Sequence, residues 1–276
     1  MKRRTSEAGG YGQSCMARFY PLFSSSKGNS SYIGNENSGI LIDAGVSCKR
    51  LVGALENNGI SPEAVQAIFI THTHSDHIAG LKILTKKYNI PVYAQTINLE
   101  ILASSDKVAA DAAMYSVDGR DIEVGGFCVS SFETPHDTPA SCGYRIVCPD
   151  GKVIVTCTDL GEITPEVDRN LAGADMVLLE SNYDERMLKN GSYPYTLKQR
   201  IASSHGHLSN SDCSKQLKKL IEGGTCRFVL GHLSQENNTA FIAESSAVGF
   251  LNEFRRNSDY LLDIASPDGC GMAVAF

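Results

Sequence analysis

The sequence contains no uninterrupted apolar run near the ~20 residues that a membrane-spanning helix needs. It opens Met-Lys-Arg-Arg, a basic start, but Thr5 to Ser14 has no apolar core of the kind a signal peptide carries. It has no C-x-x-C pair, and its nine cysteines are an odd number. No disulfide framework follows from such spacing, and reduced thiols are expected. Cys128, Cys148, Cys157 and Cys226 lie in apolar or strand-like runs and are expected to be small, inert, buried hydrophobes. Positive charge is not in excess: 25 Lys and Arg face 31 Asp and Glu, for a net charge of −6. That excludes a generally basic nucleic-acid coat, although not a local basic patch. Internal repeats, linker-like composition shifts and aromatic-interleaved nucleic-acid modules are also missing. What is left is an ordinary globular balance, 42% hydrophobic and 20% charged, in a protein expected to be soluble and cytoplasmic.

A chain of 276 residues buries a sizeable core without needing a disulfide or metal to fold. Residues 1–15 are polar, Gly-rich and aperiodic, and are expected to form a disordered tail, with either Met1 or Met16 as the start. Residues 16–276 are expected to form one layered α/β domain, because strand and helix signals alternate along them. Strands are expected over 18–23, 39–44, 65–70, 91–94, 152–158, 175–180, 226–230 and 260–264, with two more over 122–132 around a Gly125-Gly126 turn. A Ser/Gly/Asn loop is expected over 24–31. Helical spacing marks 47–58, 77–88, 209–222 and most of 238–255, with Ser209 placed to cap the third.

The sharpest local feature is Thr71-His72-Thr73-His74-Ser75-Asp76-His77. With seven His in the whole chain, three at set positions have a chance on the order of 10⁻⁵ per window. The segment follows an apolar strand, so His72 and His74 can project to one side, with Asp76 and His77 where the chain turns into a helix. Imidazole and carboxylate suit Zn²⁺, and also Mn²⁺ or Fe²⁺. Four donors in six residues exceed what one tetrahedral ion conveniently uses, and two adjacent ions can divide them. Further donors recur after later strand signals: His136 in Glu133-Thr134-Pro135-His136-Asp137, Asp159 after VTCT, and His232 after FVLG. Loops at strand ends converge in layered α/β proteins, so the joint pattern reads as one site.

HxHxDH at 72–77, then His136, Asp159 and His232, resembles the metallo-β-lactamase superfamily, and the likeness covers nearly all of 17–276. The resemblance implies an αββα sandwich: two mixed sheets flanked by helices, with a dinuclear site at one end. It implies that His72, His74 and His136 hold one ion, that Asp76, His77 and His232 hold the other, and that Asp159 bridges them. No Cys occupies a ligand position, unlike several true β-lactamases, and the long insert of the RNA-cleaving β-CASP branch is absent. No flavin-binding segment follows, which disfavours a flavodiiron role. The runs Ser26-Lys27-Gly28-Asn29-Ser30, Leu41-Ile42-Asp43-Ala44-Gly45, Glu180-Ser181-Asn182-Tyr183-Asp184, Gly206-His207-Leu208-Ser209-Asn210 and His232-Leu233-Ser234-Gln235-Glu236-Asn237-Asn238 resemble the bacterial YycJ/WalJ (VicX-like) family. That resemblance implies a metal-dependent 5′→3′ exonuclease on double-stranded DNA, associated with mismatch repair.

Two ions sharing a hydroxide suit phosphodiester hydrolysis without a Ser or Cys nucleophile. They suit an ester, thioester or lactam as well, and fold alone does not choose. Asp76 is a candidate to orient that hydroxide as well as a ligand. Glu180 and His207 are similar to the Glu–His pair of transfer-RNA-processing members, in which the pair protonates the leaving oxygen. His205 is expected to be an exposed neighbour. By resemblance the 24–31 loop lies near the cleft, with Lys27 and Asn29 as phosphate contacts. Ser234, Asn237 and Asn238 follow a ligand and are candidates to orient it or to touch substrate. Lys198 with Arg200, and Lys215 with Lys218 and Lys219, are candidate phosphate-tracking clusters. The expected partner is the DNA backbone, with no membrane and with an oligomer left open. Two readings stand beside it: a phosphodiesterase for small cyclic or nucleotide diesters, and a non-catalytic regulatory protein that keeps the metal fold.

Overall fold

A computed structural model describes residues 16–269 and 273–276; the expected tail over 1–15 lies outside them. Two sheets pack face to face. The first runs β1 (Arg18–Ser25), β2 (Gly28–Gly34), β3 (Gly39–Ile42), β4 (Val65–Phe69), β5 (Val92–Ala94) and β6 (Met114–Ser116), in spatial order 1-2-3-4-5-6. The second is built from β7 (Ile122–Val124), β8 (Phe127–Glu133), β9 (Cys142–Val147), β10 (Val153–Cys157), β11 (Met176–Glu180), β12 (Arg227–Gly231) and β13 (Leu261–Ile264), in spatial order 13-12-11-10-9-8-7. Both sheets are mixed: β1 to β3 and β7 to β10 pair antiparallel, whereas β3 to β6 and β10 to β13 pair parallel.

The helices are α1 (Cys48–Asn57), α2 (Ser75–Ile78), α3 (Leu81–Tyr88), α4 (Thr96–Ser104), α5 (Pro165–Leu171), α6 (Glu185–Asn190), α7 (Tyr195–Ile201), α8 (Asn210–Glu222) and α9 (Ala240–Phe250). Ser47, Thr164, Asp184, Ser209 and Thr239 each accept a backbone N–H of the first turn of α1, α5, α6, α8 and α9. Among the described residues no helix is long and apolar enough to cross a membrane.

Three apolar layers result, and strand periodicity explains them. Along β10 to β12, Ile154, Leu178 and Val229 face the other sheet and, with Tyr144 of β9, meet Ile40 and Phe69. Their neighbours Val155, Leu179 and Phe228 face outward onto Val167, Leu217 and Ala247 of the helices. Strands buried on both faces read as continuous apolar runs, as these do. A third layer sets Leu51, Leu55, Leu81 and Leu84 of α1 and α3 against Leu41 and Ile68. The architecture is the expected αββα sandwich.

Several elements depart from expectation. Residues 24–31 are not a loop but the end of the β1–β2 hairpin, with Ser25 paired to Gly28 and only Ser26-Lys27 in the turn. The expected helix over 77–88 is two helices broken at Gly80, where a Cβ would lie 2.3 Å from the Val46 carbonyl oxygen. The last helix is shorter: Thr239 caps its start, and it ends at Phe250, with Leu251 as its C-cap. Cys148 and Cys157 are buried, but Cys226 is exposed and Cys128 half-buried, since they stand at a strand end and on an outer face.

Gly45 shows why the run after β3 tolerates no side chain. A Cβ there would lie 1.7 Å from the Asp76 carbonyl oxygen, and the Gly45 N–H donates to Asn29 O at 2.8 Å. Ala44 and Gly80 complete the clasp: Ala44 N–H donates to His77 O and Gly80 N–H to Ala44 O, both at 2.8 Å. Gly45→Ala is therefore expected to cost about 3 kcal/mol, at the upper end of overpacking in a closed site. A denaturant titration checks it: the midpoint should fall at unchanged slope.

Candidate metal centre

The site forms where strands end. His72, His74, Asp76 and His77 follow β4, His136 lies between β8 and β9, and Asp159, Glu180 and His232 stand at or just past the ends of β10, β11 and β12. Parallel strands bring these ends to one edge, so residues up to 160 positions apart in sequence meet there. Asp43, Asp159 and His232 take left-handed backbone, with φ of 62°, 59° and 53°. Non-glycine residues hold that conformation at a cost of about 1 kcal/mol or more, and such positions concentrate at functional sites.

The side chains converge. His72, His74 and His136 bring one donor atom each within 4.8 Å of one another, and Asp76, His77 and His232 do the same. Asp159 lies between the two groups, with Oδ2 3.3 Å from His77 Nε2 and Oδ1 3.4 Å from His232 Nε2 and 3.7 Å from His136 Nε2. Two atoms here are buried with no hydrogen-bond partner: His72 Nε2 and Asp159 Oδ2. A buried polar atom without a partner costs roughly 1–3 kcal/mol unless a ligand occupies it. Orphaned imidazole and carboxylate atoms, ringed by more of the same donors, fit divalent metal.

Charge balance is tight. Burial disfavours the charged form of His72 and, with neighbouring imidazoles, holds it well below the usual histidine range. Burial likewise opposes the imidazolium at His77, but Asp159 and Asp43 outweigh it and raise the group to about 10. Burial also works against the Asp159 carboxylate, yet His232, His77 and His72 hold it well below the usual carboxylate range. One buried anion thus faces a ring of imidazoles.

A second layer aims the ligands. Asp43 Oδ2 accepts from His77 Nδ1 at 2.8 Å, while its two oxygens also accept from Thr71 N and Thr71 Oγ1 at 2.9 Å. That fixes the ring so that Nε2 faces Asp159. His136 Nδ1 donates to Gly206 O at 3.0 Å, which turns Nε2 inward in the same way. Asp43 is the residue that motif reading did not assign. Its signal was the family-like run Leu41-Ile42-Asp43-Ala44-Gly45, in which an acidic residue closes an apolar strand.

Glu180 and His207 form a pair at the edge of the cluster, and with Asp159 and His232 they make a further group whose donor atoms lie within 4.8 Å of one another. Glu180 is fully buried, and its Oε1 accepts from His207 Nδ1 at 2.7 Å. Its Oε2 accepts from Leu160 N at 3.0 Å and Leu208 N at 3.3 Å, so both oxygens are occupied. Burial opposes the His207 imidazolium, but Glu180 overcomes it and raises the group to about 9. His207 Nε2 stays free of this pair.

The other expected contacts fall in different places. Asn29 is buried rather than open to a phosphate: its Oδ1 lies 3.1 Å from His232 Nδ1 and its Nδ2 3.1 Å from His77 Nε2. Lys27 is exposed at the hairpin turn. Ser234 lines a cavity of about 180 Å³ together with His207, Arg200, Tyr193 and Ser26. Asn237 is buried beneath it, donating from its backbone N–H to Ser234 Oγ at 3.1 Å, and Asn238 holds the Ser181 and Asn182 carbonyls at 2.9 and 3.1 Å. Lys198 Nζ donates to Lys189 O and Gly191 O, and Arg200 pairs with Asp137. Lys215, Lys218 and Lys219 are paired with Asp212, Glu253 and Asp168, and none lines the cavities beside the cluster. His205 is exposed in a larger groove of about 650 Å³ that also holds His136, Thr134, Ser141 and Arg169.

Residues 26–232 match the model of the metallo-beta-lactamase superfamily. Exodeoxyribonuclease WalJ of Streptococcus pneumoniae serotype 2 (strain D39) is 36% identical over 233 residues, which are 83% of this chain and 86% of that one. The chain belongs to the metallo-beta-lactamase superfamily, in the WalJ/YycJ family. Exodeoxyribonuclease YycJ of Bacillus anthracis is 34% identical over 238 residues, 85% of this chain and 89% of that one. Among solved structures, the metallo-beta-lactamase fold protein YhfI of Bacillus subtilis superposes with a TM-score of 0.71 at 16% identity, covering 94% of this chain and all of that one, which shows the shared fold. Within the superfamily this chain is a metal-dependent hydrolase, and the His/Asp groups above are where metal fits.

Proposed function

We propose that the chain is a dinuclear metal-dependent nuclease that digests double-stranded DNA from its 5′ ends. The observation that carries it is a pair of three-donor groups sharing Asp159, with a separately oriented acid, His207, beside them. The relatives named as exodeoxyribonucleases, matched over most of both chains, support DNA as the substrate. In this reading His72, His74 and His136 hold one ion, Asp76, His77 and His232 the other, and Asp159 both. Zn²⁺ or Mn²⁺ suits the donors, with Fe²⁺ also accepted. Such ions supply Lewis acidity: they lower the pKa of a water and offset charge building on phosphoryl oxygens.

The chain's own residues do the rest. Asp76 orients the attacking water through its carboxylate. His207 Nε2 donates a proton to the leaving sugar oxygen, whose high pKa makes it a poor leaving group otherwise. Glu180 keeps His207 protonated and in one orientation. Asn29 Oδ1 accepts from His232 Nδ1 and so orients that ring, a positioning role. Ser234, supported by Asn237, lies where a substrate oxygen would lodge in the cavity beside His207. Lys27, at the turn next to Ser26, is placed for backbone phosphates further out.

Linear duplex labelled at the 5′ or 3′ end, incubated with Mn²⁺ or Zn²⁺ and then with chelator, tests the reading. Metal-dependent release of label from 5′ ends first is expected. Intact duplex alongside hydrolysis of bis-(p-nitrophenyl) phosphate would move the substrate to a small diester.

A further inference from the structure

The apolar layer between the sheets is broken at Thr156. It stands on β10 two residues after Ile154, so both side chains face the first sheet. In register it lies between Leu178 of β11 and Tyr144 of β9. The position asks for an apolar β-branched residue, and valine has the same shape as threonine. Thr156 is nevertheless there, buried, with no hydrogen-bond partner for Oγ1 among the described residues. A buried hydroxyl without a partner destabilises a fold, so an apolar residue would serve packing better.

A cavity of about 20 Å³ lies beside Thr156, between the two sheets and under the metal cluster. Ser24, Asn29, Ser31, Asp43 and Thr71 line it with Thr156. One water needs roughly 10–15 Å³ and two to four polar partners, so the space admits one water and nothing larger. Three lining groups have bonding capacity left. Ser24 Oγ accepts from His232 N at 2.8 Å, which leaves its own proton to give. Asp43 Oδ1 accepts from Thr71 N at 2.9 Å, which leaves a lone pair. Thr156 Oγ1 is wholly unused.

We infer that one buried water, bound by Thr156 Oγ1, Ser24 Oγ and Asp43 Oδ1, braces the metal ligands from beneath, and that Thr156 is a positioning residue of the centre. The inference takes from the reading above only that His72, His77 and His232 hold metal; the substrate does not enter it. The water meets the groups that aim those ligands. Asp43 accepts from His77 Nδ1 at 2.8 Å, and Thr71 Oγ1, which donates to Asp43, lies 3.1 Å from His72 Nδ1. Ser24 holds the backbone of His232, where φ is 53°. Thr156 precedes Asp159 by three residues on the second sheet, whereas Ser24 and Asp43 belong to the first. His72 and His77 follow a strand of the first sheet, and Asp159 and His232 follow strands of the second. A water shared across the layers therefore fixes the spacing between two ligand sets that no backbone ladder joins.

Thr156→Val and Thr156→Ser test this, since valine keeps the shape and serine keeps the hydroxyl. A crystal structure of the wild-type chain should show one ordered water within hydrogen-bond distance of Thr156 Oγ1. The same water should be present in Thr156→Ser and absent in Thr156→Val. Affinity for Zn²⁺, measured by chelator competition, should fall about tenfold in Thr156→Val and return in Thr156→Ser. The visible absorption of the Co²⁺-loaded chain should change in Thr156→Val alone, which a role in packing would not produce. Stability of the metal-free chain gives an opposite sign for the two accounts. A hydroxyl that binds nothing makes Thr156→Val more stable than wild type, whereas a hydroxyl that holds a water makes it less stable, because Ser24 and Asp43 lose a partner with it. A wild-type chain without the water, a Thr156→Val denaturation midpoint above wild type, or unchanged Zn²⁺ affinity in Thr156→Val overturns the proposal. A water that depends on Thr156, with the lower midpoint, in a chain that binds no metal would keep the water site and reject the metal reading on which the positioning role rests.

Discussion

His207→Ala is expected to lower kcat on duplex DNA by about 10²–10⁴-fold while both metals stay bound. The range follows from what a positioned acid contributes when the leaving group is a sugar oxygen. The ring lies against Asp159 and His232, but its Nδ1 is committed to Glu180 at 2.7 Å, and only Nε2 is free to act. A diester with a p-nitrophenolate leaving group needs little protonation, so its hydrolysis should fall far less in the same variant. That contrast distinguishes an acid from a structural residue, which would depress both substrates alike. Glu180→Gln should fall between the two, because it keeps the hydrogen-bonding shape but removes the charge that favours imidazolium. Steady-state rates on both substrates, with metal content measured on the same samples, check the expectation. Equal losses on both substrates would remove His207 from the acid role.

The legibility of this site in the sequence follows from how its contacts are spaced. His72, His74, Asp76 and His77 lie within six residues, so their pattern is visible in one window. His136, Asp159 and His232 stand alone and are recognisable only because each ends an apolar run. Asp43 acts on His77 from 34 positions away, and Asn29 reaches His77 across 48 and His232 across 203, so no local window shows either role. The hairpin at 24–31 was hidden by its composition. Serine and asparagine usually mark turns, but here they continue a strand because their side chains satisfy each other and the adjacent loops, as Ser30 Oγ does with Asp43 O at 2.8 Å. The αββα layering was legible through β10 to β12, whose runs are apolar on both faces. The short elements α4, α5, α6, α7, β6 and β9 were not, since several are only three to seven residues long and carry weak periodicity. Arg200 was legible only as a basic neighbour of Lys198, and its place beside His207 exists only once α7 is folded against the site.

Asp159→Asn is expected to have the largest effect of any single substitution, on metal and on rate together. Asp159 is the one buried anion placed between both three-donor groups, with His77, His136 and His232 at 3.3, 3.7 and 3.4 Å. Asparagine keeps the volume but offers one neutral oxygen, so it neither bridges two cations nor offsets the charge they bring. Metal content should drop from two ions per chain toward one or none, and DNA digestion should fall on the order of 10³-fold or more. The metal-free protein responds through a different route. There Asp159 is the counter-charge that favours the His77 imidazolium, while burial opposes it. Removing that anion leaves a buried imidazolium supported by Asp43 and the more exposed Asp76, or forces it to lose its proton, and breaking one partner of a buried pair costs roughly 3–5 kcal/mol. The metal-free variant should therefore unfold at a lower denaturant concentration than metal-free wild type. Added Zn²⁺ should stabilise the wild type far more than the variant, because binding to the folded state adds to stability in proportion to affinity. Elemental analysis and paired denaturation curves, each with and without metal, test both routes. A variant that keeps two ions and its stability would show that Asp159 is neither bridge nor counter-charge, and would move the division of the site onto Asp76 and the imidazoles.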